Sequence, residues 1–175
     1  MEDVKFLSRP KETVQTLGLG VFDGFHLGHK ALADKCDALM TFYPHPEFVL
    51  KDDTNLKLLT TLDERKVLFK KIFIIEFTKN FSKMTALEFL ETVIKKEINP
   101  KKIVVGYDFC FGYKREGNLD FLKTWASKNN IEIECIDPFT YEGNIVKSSH
   151  IRECLTEGRF DEAVSYLGHP YLIMG

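Results

Sequence analysis

The sequence predicts an α/β protein with a parallel sheet of about five strands and helices on both faces. Apolar runs of strand length alternate with segments of helical periodicity along most of the chain. The segment 72–77 is an example, because Ile-Phe-Ile-Ile-Glu-Phe is almost entirely apolar, as in strands that are buried on both faces. No internal repeat or low-complexity linker interrupts the alternation, which predicts one domain over residues 1–175.

Five segments are predicted as strands of this sheet. They are Thr16-Leu17-Gly18-Leu19 with Val21, and the segments 38–43, 72–77, 102–107 and 131–136. Pro44-His45-Pro46 ends the second strand, because proline cannot donate a hydrogen bond to a neighbouring strand. Right-handed crossovers would place the carboxyl ends of all these strands at one edge, where open sheets bind ligands.

Helices are predicted between the strands and after the last one. Capping residues mark several of their starts, and Pro100 and Gly168 mark two of their ends. The first three predicted helices run from His26 and His29 to Asp37, over 62–71 with Thr61 or Asp63 as cap, and from the capping box 85–88 towards Pro100. The other three run over 119–128, from Ser148 or Ser149 as cap to Leu155, and over about 160–167.

The segment Gly20-Val21-Phe22-Asp23-Gly24-Phe25-His26-Leu27-Gly28-His29 follows the first predicted strand. Glycine and aspartate favour a tight turn, and the spacing places His26 and His29 on one face of a first helical turn. Backbone N–H groups and the helix dipole favour an anion there, so the segment predicts a phosphate site. On these residues alone, a metal site with Asp23 as third ligand and surface histidines without function remain open.

Composition and charge restrict the class of protein. The net charge of −2 and the pI near 6.2 give no support for nucleic-acid binding, so local positive groups must meet any anionic substrate. Four scattered cysteines indicate reduced residues of the core. The first residues lack the pattern of a signal peptide and no run has the length of a membrane span, so we expect a cytoplasmic protein without a membrane partner.

Further motifs, in the same order, resemble those of the FAD synthetase family of prokaryotes. They match its FMN adenylyltransferase module, which belongs to the H-x-G-H nucleotidyltransferase superfamily. Besides G-x-F-D-G-x-H-x-G-H at 20–29, the segments are 41–46 (T-F-x-P-H-P), 59–62 (L-T-T and the next residue), 105–112 (V-G-x-D-F-x-F-G), 148–152 (similar to S-T-x-I-R) and 167–171 (similar to L-G-R-P-Y). The resemblance implies a Rossmann-like nucleotidyltransferase fold.

The resemblance also implies a reaction, in which the adenylyl group of ATP is transferred to FMN to give FAD and pyrophosphate, with Mg²⁺ accompanying ATP. It implies catalytic roles for His26, His29, Ser149 and Arg152, with Arg152 on the departing phosphates. The implied ATP-binding residues are Gly20, Phe22, Asp23, Gly24, His26, Gly28, His29, Gly106, Ser148, Ser149 and Arg152. The implied FMN-binding residues are His45, Pro46, Asp108, Phe109 and Phe111, and no protein ligand for a metal is assigned.

Departures from the family pattern keep alternatives open. About a dozen residues separate His29 from Thr41, so the first crossover helix must be short. Val21 stands where asparagine is common, and Ser149 where threonine is usual. Another phosphate acceptor, such as phosphopantetheine or nicotinate mononucleotide, and a catalytically silent flavin or nucleotide sensor remain alternatives. We expect no riboflavin kinase domain within these residues and a separate riboflavin kinase as the source of FMN.

Overall fold

The structure, a computed structural model, describes residues 4–51, 55–69 and 71–171. The strands are β1 (Phe6–Ser8), β2 (Thr16–Leu19), β3 (Ala38–Tyr43), β4 (Ile72–Glu76), β5 (Lys102–Gly106), β6 (Glu132–Ile136), β7 (Thr140–Tyr141) and β8 (Asn144–Ile145). Six of them form one sheet in the order β1-β4-β3-β2-β5-β6, and β7 pairs with β8 in a small hairpin.

The predicted five-stranded parallel sheet is confirmed, with an added antiparallel strand at its edge. Strands β2 to β6 are parallel to their neighbours, and β1 pairs with β4 in the antiparallel direction. Strands β1, β7 and β8 were not predicted, because two or three residues are too few to show a period. Val21 lies just beyond the end of β2.

The helices are α1 (Leu27–Ala33), α2 (Pro46–Lys51), α3 (Leu62–Leu68), α4 (Ala86–Glu88), α5 (Leu119–Lys128), α6 (Ser148–Thr156) and α7 (Phe160–Leu167). A π-helical segment, Phe89–Ile98, continues directly from α4. Short 3₁₀ turns lie at Phe81–Lys83 and Tyr113–Arg115. The predicted helices over 119–128 and 160–167 are confirmed at both ends, and α2 was not predicted.

Two predicted helices are shorter in the structure. Helix α1 ends at Ala33 instead of Asp37, whose carboxylate accepts the backbone N–H groups of Gln15 and Thr16 at 3.0 and 2.9 Å and so starts β2. Helix α3 ends at Leu68, because the next residue is extended; position 70 of the prediction lies outside the described residues. Thr61 caps α3 as predicted, in a reciprocal capping box.

The prediction that a serine caps α6 was wrong. The N-cap is Lys147, which makes no capping bond through its side chain. The hydroxyl of Ser148 instead donates to the backbone carbonyl of Asp23 at 2.9 Å. Capping propensity is a local preference, and here a carbonyl 125 residues away in the sequence competes for the same hydroxyl.

The strands alternate their side chains between two apolar layers. On one face, Leu17, Met40, Ile75 and similar residues pack against the π-helical segment and α5. On the other face, residues such as Leu39, Ile74 and Val104 pack against α1 and α3. The prediction of helices on both faces is confirmed, and α6 and α7 bury a third cluster of their own.

The order of the strands fixes where a ligand can bind. From β2 the chain moves outward through β3 and β4, and it then returns to place β5 on the other side of β2. The loops after β2 and β5 therefore diverge and leave a crevice at the carboxyl ends of these strands. Gly18 lets α1 pack closely on this part of the sheet, since a Cβ there would lie 2.6 Å from Leu39 and 2.7 Å from Leu32.

Candidate active site

A cavity of about 560 Å³ opens at this crevice, within the range of pockets that bind small molecules. It brings together the loops that follow β2, β3 and β5 and the start of α6, at the edge where the carboxyl ends of the strands were predicted to lie. Its walls include most of the predicted site residues: Gly20, Phe22, His26, Gly28, His29, His45, Pro46, Gly106, Asp108, Phe109, Phe111, Ser148 and Ser149. Asp23, Gly24 and Arg152 lie beside the cavity and not on its lining.

The turn between β2 and α1 is held in an unusual backbone conformation. Phe22, Gly24 and Phe25 have φ angles of 55°, 84° and 43°, in the left-handed region that most residues avoid. Glycine is required at Gly24 for a second reason, because a Cβ would lie 2.7 Å from the side chain of Leu59. Strained backbone of this kind persists where surrounding contacts fix it, and it is common at functional sites.

Asp23 supplies the main contacts that fix this turn. Its side chain is 3% exposed, and its carboxylate accepts the backbone N–H groups of Leu59 and Thr60, each at 3.0 Å. It also pairs with the guanidinium of Arg152, whose Nε donates to the carbonyl of Lys57 at 2.7 Å. Asp23 thus joins the turn to the segment before α3 and to α6.

His26 and His29 lie at the start of α1 with their rings stacked, with centroids 3.6 Å apart and planes 17° from parallel. His26 is the N-cap, and its Nδ1 accepts the backbone N–H of His29 at 3.3 Å. This bond leaves the proton of a neutral His26 on Nε2. The Nδ1 atom of His29 is buried without a hydrogen-bond partner in the described part of the chain.

Both rings are neutral at pH 7. Burial lowers the pKa of His26 to about 4, and it lowers the pKa of His29 well below its ordinary value, assisted by the charge of Arg65 and, when His26 is protonated, by that of His26. A neutral imidazole still offers one N–H donor. Bound phosphates would favour the charged form, so the pair can donate to an anion and gain a proton as negative charge accumulates.

The amino end of α6 presents further donors to the cavity. Lys147, Ser148 and Ser149 all line it, and the side chain of Lys147, the N-cap residue, makes no hydrogen bond to the first backbone N–H groups of this nine-residue helix. Uncapped N–H groups and the helix dipole favour an anion at this position. Lys147 adds a positive charge beside the serines, and a hydrogen bond with Tyr107 raises its pKa further.

Arg65 is a buried cation beneath the site that the sequence analysis missed. Its side chain is 1% exposed, and Nη1 donates to the carbonyl of Val21 at 3.0 Å and to the hydroxyl of Thr41 at 3.1 Å. The same hydroxyl donates to Val21 at 2.6 Å. These bonds fix the backbone between Gly20 and Phe22. A charged residue on a predicted helix ordinarily indicates a solvent face, so no local signal pointed to Arg65.

His45 and Pro46 form the wall contributed by the loop after β3. His45 is buried, its Nδ1 accepts the backbone N–H of Glu47 at 3.2 Å, and burial lowers its pKa. Pro46 is the first residue of α2, a favoured position because its missing N–H would have no partner in the helix anyway.

Six phenylalanine rings form a continuous aromatic wall of the same cavity. Successive rings lie between 5.4 and 6.3 Å apart, and the rings of Phe109 and Phe111 are stacked, with planes 20° from parallel. The aromatic wall consists of Phe42, Phe77, Phe81, Phe89, Phe109 and Phe111. Only the last two were predicted as site residues, because the others lie in segments that fit core strands and helices equally well.

Contacts with the start of α4 hold the loop that carries Phe109 and Phe111. Tyr113 N–H donates to the carbonyl of Met84 at 2.8 Å, and the carboxylate of Glu116 accepts the N–H of Ala86 at 2.7 Å. Phe111 and Gly117 exchange two backbone hydrogen bonds across the loop, at 3.0 and 2.9 Å. The aromatic wall is therefore a rigid surface, suited to a flat aromatic ligand.

A model of the FAD synthetase family matches residues 8–150 of this chain. The chain is similar to bifunctional riboflavin kinase/FMN adenylyltransferases of several bacteria. The protein of Listeria monocytogenes is 30% identical over an alignment of 177 positions, which covers 92% of this chain and 56% of that protein. Those of Bacillus subtilis and Escherichia coli K12 are 29% and 28% identical, and the matches cover 97% of this chain and 58% and 59% of the relatives. The chain thus spans somewhat more than half the length of these relatives.

The fold is also similar to a solved structure. A crystal structure of a macrolide-efflux protein from Streptococcus pneumoniae matches with a TM-score of 0.81 and 27% identity, over 93% of this chain and 67% of that one. Within the residues that the structure describes, no helix is long and apolar enough to span a bilayer. The family model covers well over half of the chain, from β1 to the first turn of α6. The chain therefore belongs to the FAD synthetase family.

Proposed function

We propose that this chain transfers the adenylyl group of ATP to FMN, giving FAD and pyrophosphate. A phosphate oxygen of FMN attacks the α-phosphorus of ATP, and the bond from that phosphorus to the oxygen bridging the β-phosphate breaks. The FMN phosphate has a second pKa near 6 and is mostly dianionic at pH 7, so the attack needs no general base. The enzyme has to align two anions and stabilise the charge that develops between them.

His26 and His29 serve the α-phosphate in this proposal. The single observation that carries it is the stacked pair at the cavity wall, with Nδ1 of His29 buried and without a partner in the described residues. A buried nitrogen without a partner is costly, and a turn of the His29 ring would bring this atom to a phosphate oxygen. Phosphate oxygens of ATP would accept from these imidazoles, and the donors would stabilise the transition state.

The start of α6 holds the departing pyrophosphate. Ser148, Ser149 and Lys147 line the cavity where the first N–H groups of the helix are uncapped. Arg152 acts in this proposal through its contacts with Asp23 and Lys57, which fix α6 against the histidine turn. Its direct contact with ATP remains a prediction of the family resemblance.

The aromatic wall receives the isoalloxazine ring of FMN. The stacked rings of Phe109 and Phe111, with the tilted ring of Phe89 beside them, form an apolar aromatic surface of the right chemistry for a three-ring system. Asp108 and His45 lie on the same cavity and offer polar contacts to the flavin. This wall favours FMN over the other acceptors considered above, because neither phosphopantetheine nor nicotinate mononucleotide carries so large an aromatic system.

Mg²⁺ enters with ATP as part of the substrate complex. This metal prefers oxygen ligands and is commonly held by phosphates and water, with one or two carboxylates. Asp108 and Asp137 are carboxylates on the cavity lining. These carboxylates would hold the metal, which would supply positive charge to offset that of the phosphates, while the residues described above position the two substrates.

We further propose that these 175 residues act as the adenylyltransferase alone, on FMN made by a riboflavin kinase at another active site. The described residues pack around one six-stranded sheet. The cavity at the edge of this sheet is lined by the histidine pair, the start of α6 and the aromatic wall. The four free cysteines suit a reducing compartment, and we propose the cytoplasm as the place of action. Incubation with riboflavin, ATP and Mg²⁺ should give no FMN, and accumulation of FMN would contradict this assignment.

The test of the reaction is incubation with Mg²⁺, ATP and FMN, followed by chromatography of the flavins. FAD and pyrophosphate should form in equal amounts. Nicotinate mononucleotide and phosphopantetheine, each replacing FMN, are the control acceptors and should give no adenylylated product. Tight binding of FMN without turnover would favour the flavin sensor, and turnover with a control acceptor alone would favour another member of the superfamily.

A further inference from the structure

We propose that His150, Cys154 and Glu162 form a binding site for a metal ion of the zinc class. The three side chains lie between α6 and α7, and none of them lines the cavity of the candidate active site. Each offers one ligand atom, and these three atoms all lie within 4.8 Å of one another. The cluster is independent of the proposed adenylyl transfer.

The helices bring the three ligand atoms to within 4.8 Å of one another. His150 and Cys154 are four residues apart on α6, so both point to the same side, and Glu162 is in the first turn of the neighbouring α7. His150 Nε2 and Glu162 Oε1 are 3.4 Å apart. Two ligands about 2.0–2.1 Å from a tetrahedral ion are separated by about 3.3–3.4 Å. A common metal therefore fits between them with little movement.

The same distance is long for a direct hydrogen bond. Hydrogen bonds from nitrogen to oxygen are most often about 2.9–3.0 Å long, so a bond at 3.4 Å between these two groups is weak. Cys154, which is fully buried, adds a sulfur ligand. A hydrogen bond between His150 and Glu162 that only joined the two helices would not need this sulfur. An ion uses all three groups at once.

The ligand types and charges fit a dication that accepts nitrogen and sulfur. Zn²⁺ binds imidazole, thiolate and carboxylate, whereas Mg²⁺ prefers oxygen alone. Arg159 pairs with the Oε2 atom of Glu162, so that the other carboxylate oxygen, Oε1, is the one that faces His150 in the cluster. A bound dication would be balanced by this carboxylate and the thiolate of Cys154.

Groups around the three ligands resemble the outer support of known metal sites. A histidine that binds metal through one nitrogen commonly directs the other towards a carboxylate. Here Nδ1 of His150 lies 3.9 Å from the carboxylate of Glu153, beyond hydrogen-bond distance, so the Glu153 side chain would have to move closer to take this role. The edge of the Tyr166 ring packs against the imidazole, with centroids 4.9 Å apart. His150 and Glu162 are each about one-third exposed, so an ion and a water ligand can enter from solvent.

Co²⁺ is the spectroscopic probe for this site, and Zn²⁺ is the competitor. Titration of the full 175-residue chain should show one Co²⁺ bound with the charge-transfer absorption of a cobalt–thiolate bond, and Zn²⁺ should abolish it. Cys154→Ser should remove the absorption. His150→Gln and Glu162→Gln should each weaken Zn²⁺ binding at least about tenfold, since loss of even an outer partner costs roughly 10- to 100-fold.

Cys110→Ser is the matched control, because Cys110 lines the cavity and is remote from the cluster in sequence. It should leave the absorption unchanged. The proposal is wrong if the wild-type chain shows no thiolate absorption, if Cys154→Ser retains it, or if Cys110→Ser removes it. If circular dichroism shows that Cys154→Ser does not fold, the Zn²⁺ affinity of Glu162→Gln decides whether the site exists, because this change alters a partly exposed side chain. Unchanged Zn²⁺ affinity in Glu162→Gln would then contradict the proposal.

Discussion

Replacing Asp23 by alanine should destabilise the fold, because the structure shows this carboxylate joining three segments. The change leaves the backbone N–H groups of Leu59 and Thr60 without their acceptor and Arg152 without its counter-ion. Each unsatisfied buried group costs about 1–3 kcal/mol, and breaking a buried ion pair costs about 3–5 kcal/mol. Arg152 is partly exposed, so its share lies at or below the lower end of that range.

We expect the free energy of unfolding to fall by about 3–5 kcal/mol in Asp23→Ala, since water entering the space will satisfy part of the lost bonding. For a chain of this size, each kcal/mol lowers Tm by about 2–4 °C, so Tm should fall by about 6–20 °C. Urea unfolding and thermal melts measure both quantities. The matched control is Asp34→Ala, which removes an exposed carboxylate and should change stability by less than about 0.5 kcal/mol.

A double-mutant cycle then separates the ion pair from the backbone bonds. In Asp23→Ala with Arg152→Ala, no charge is left unpaired, so the two losses should be less than additive, with coupling of about 0.5–3 kcal/mol. If Asp23→Ala keeps wild-type stability and only raises KM for ATP, Asp23 is a substrate ligand and the structural role assigned to it is refuted.

The remaining predictions concern the histidines, Arg152 and the aromatic wall. His26→Ala and His29→Ala should each lower kcat about 10²- to 10³-fold with the fold retained, as steady-state assays and thermal melts would show; wild-type turnover in both would exclude the site. Because the pKa of His26 is lowered to about 4 from 6.5 in the unfolded chain, its contribution to stability is present above pH 6.5 and is lost as pH falls to 4. Urea unfolding should show that the free energy of unfolding falls by about 3 kcal/mol over that pH range, and His26→Asn should lack this fall. A variant with the same pH profile as the wild type would disprove the role of His26 in this pH dependence. Arg152→Lys should lower Tm and raise KM for ATP, since lysine cannot reach both Asp23 and the carbonyl of Lys57; unchanged values would make it an ordinary surface charge. Phe111→Leu should raise KM for FMN and leave KM for ATP unchanged, and equal effects on both would contradict a flavin-specific wall.

The parallel sheet could be predicted because its strands are apolar on both faces. Residues such as Ile74 and Val104 are fully buried, and burial on both sides produces the continuous apolar runs that mark these strands in the sequence. Strand β1 could not be predicted, since three residues at the edge carry no such run. The π-helical course of Phe89–Ile98 was also missed, because its apolar spacing is equally compatible with an α-helix.

The candidate site could be predicted only where its residues are contiguous in sequence. His26 and His29 stand within one motif, and the structure stacks their rings as close neighbours. Arg65 could not be found in this way, because its acceptors at Val21 and Thr41 lie far from it in sequence. The prediction that Ser148 could cap α6 was wrong for the same reason, since the acceptor of its hydroxyl is the carbonyl of Asp23. Contacts between distant segments are determined by packing, which local patterns do not contain.

The central claim, adenylyl transfer to FMN, is tested most directly by following labelled phosphate. The chain is incubated with Mg²⁺ and FMN, and with ATP labelled either at the α- or at the γ-phosphate. We expect the α-label to appear in FAD and the γ-label in pyrophosphate, because the bond between the α-phosphorus and the bridging oxygen is the one that breaks. Appearance of the γ-label in a flavin, or absence of the α-label from FAD, would contradict the account.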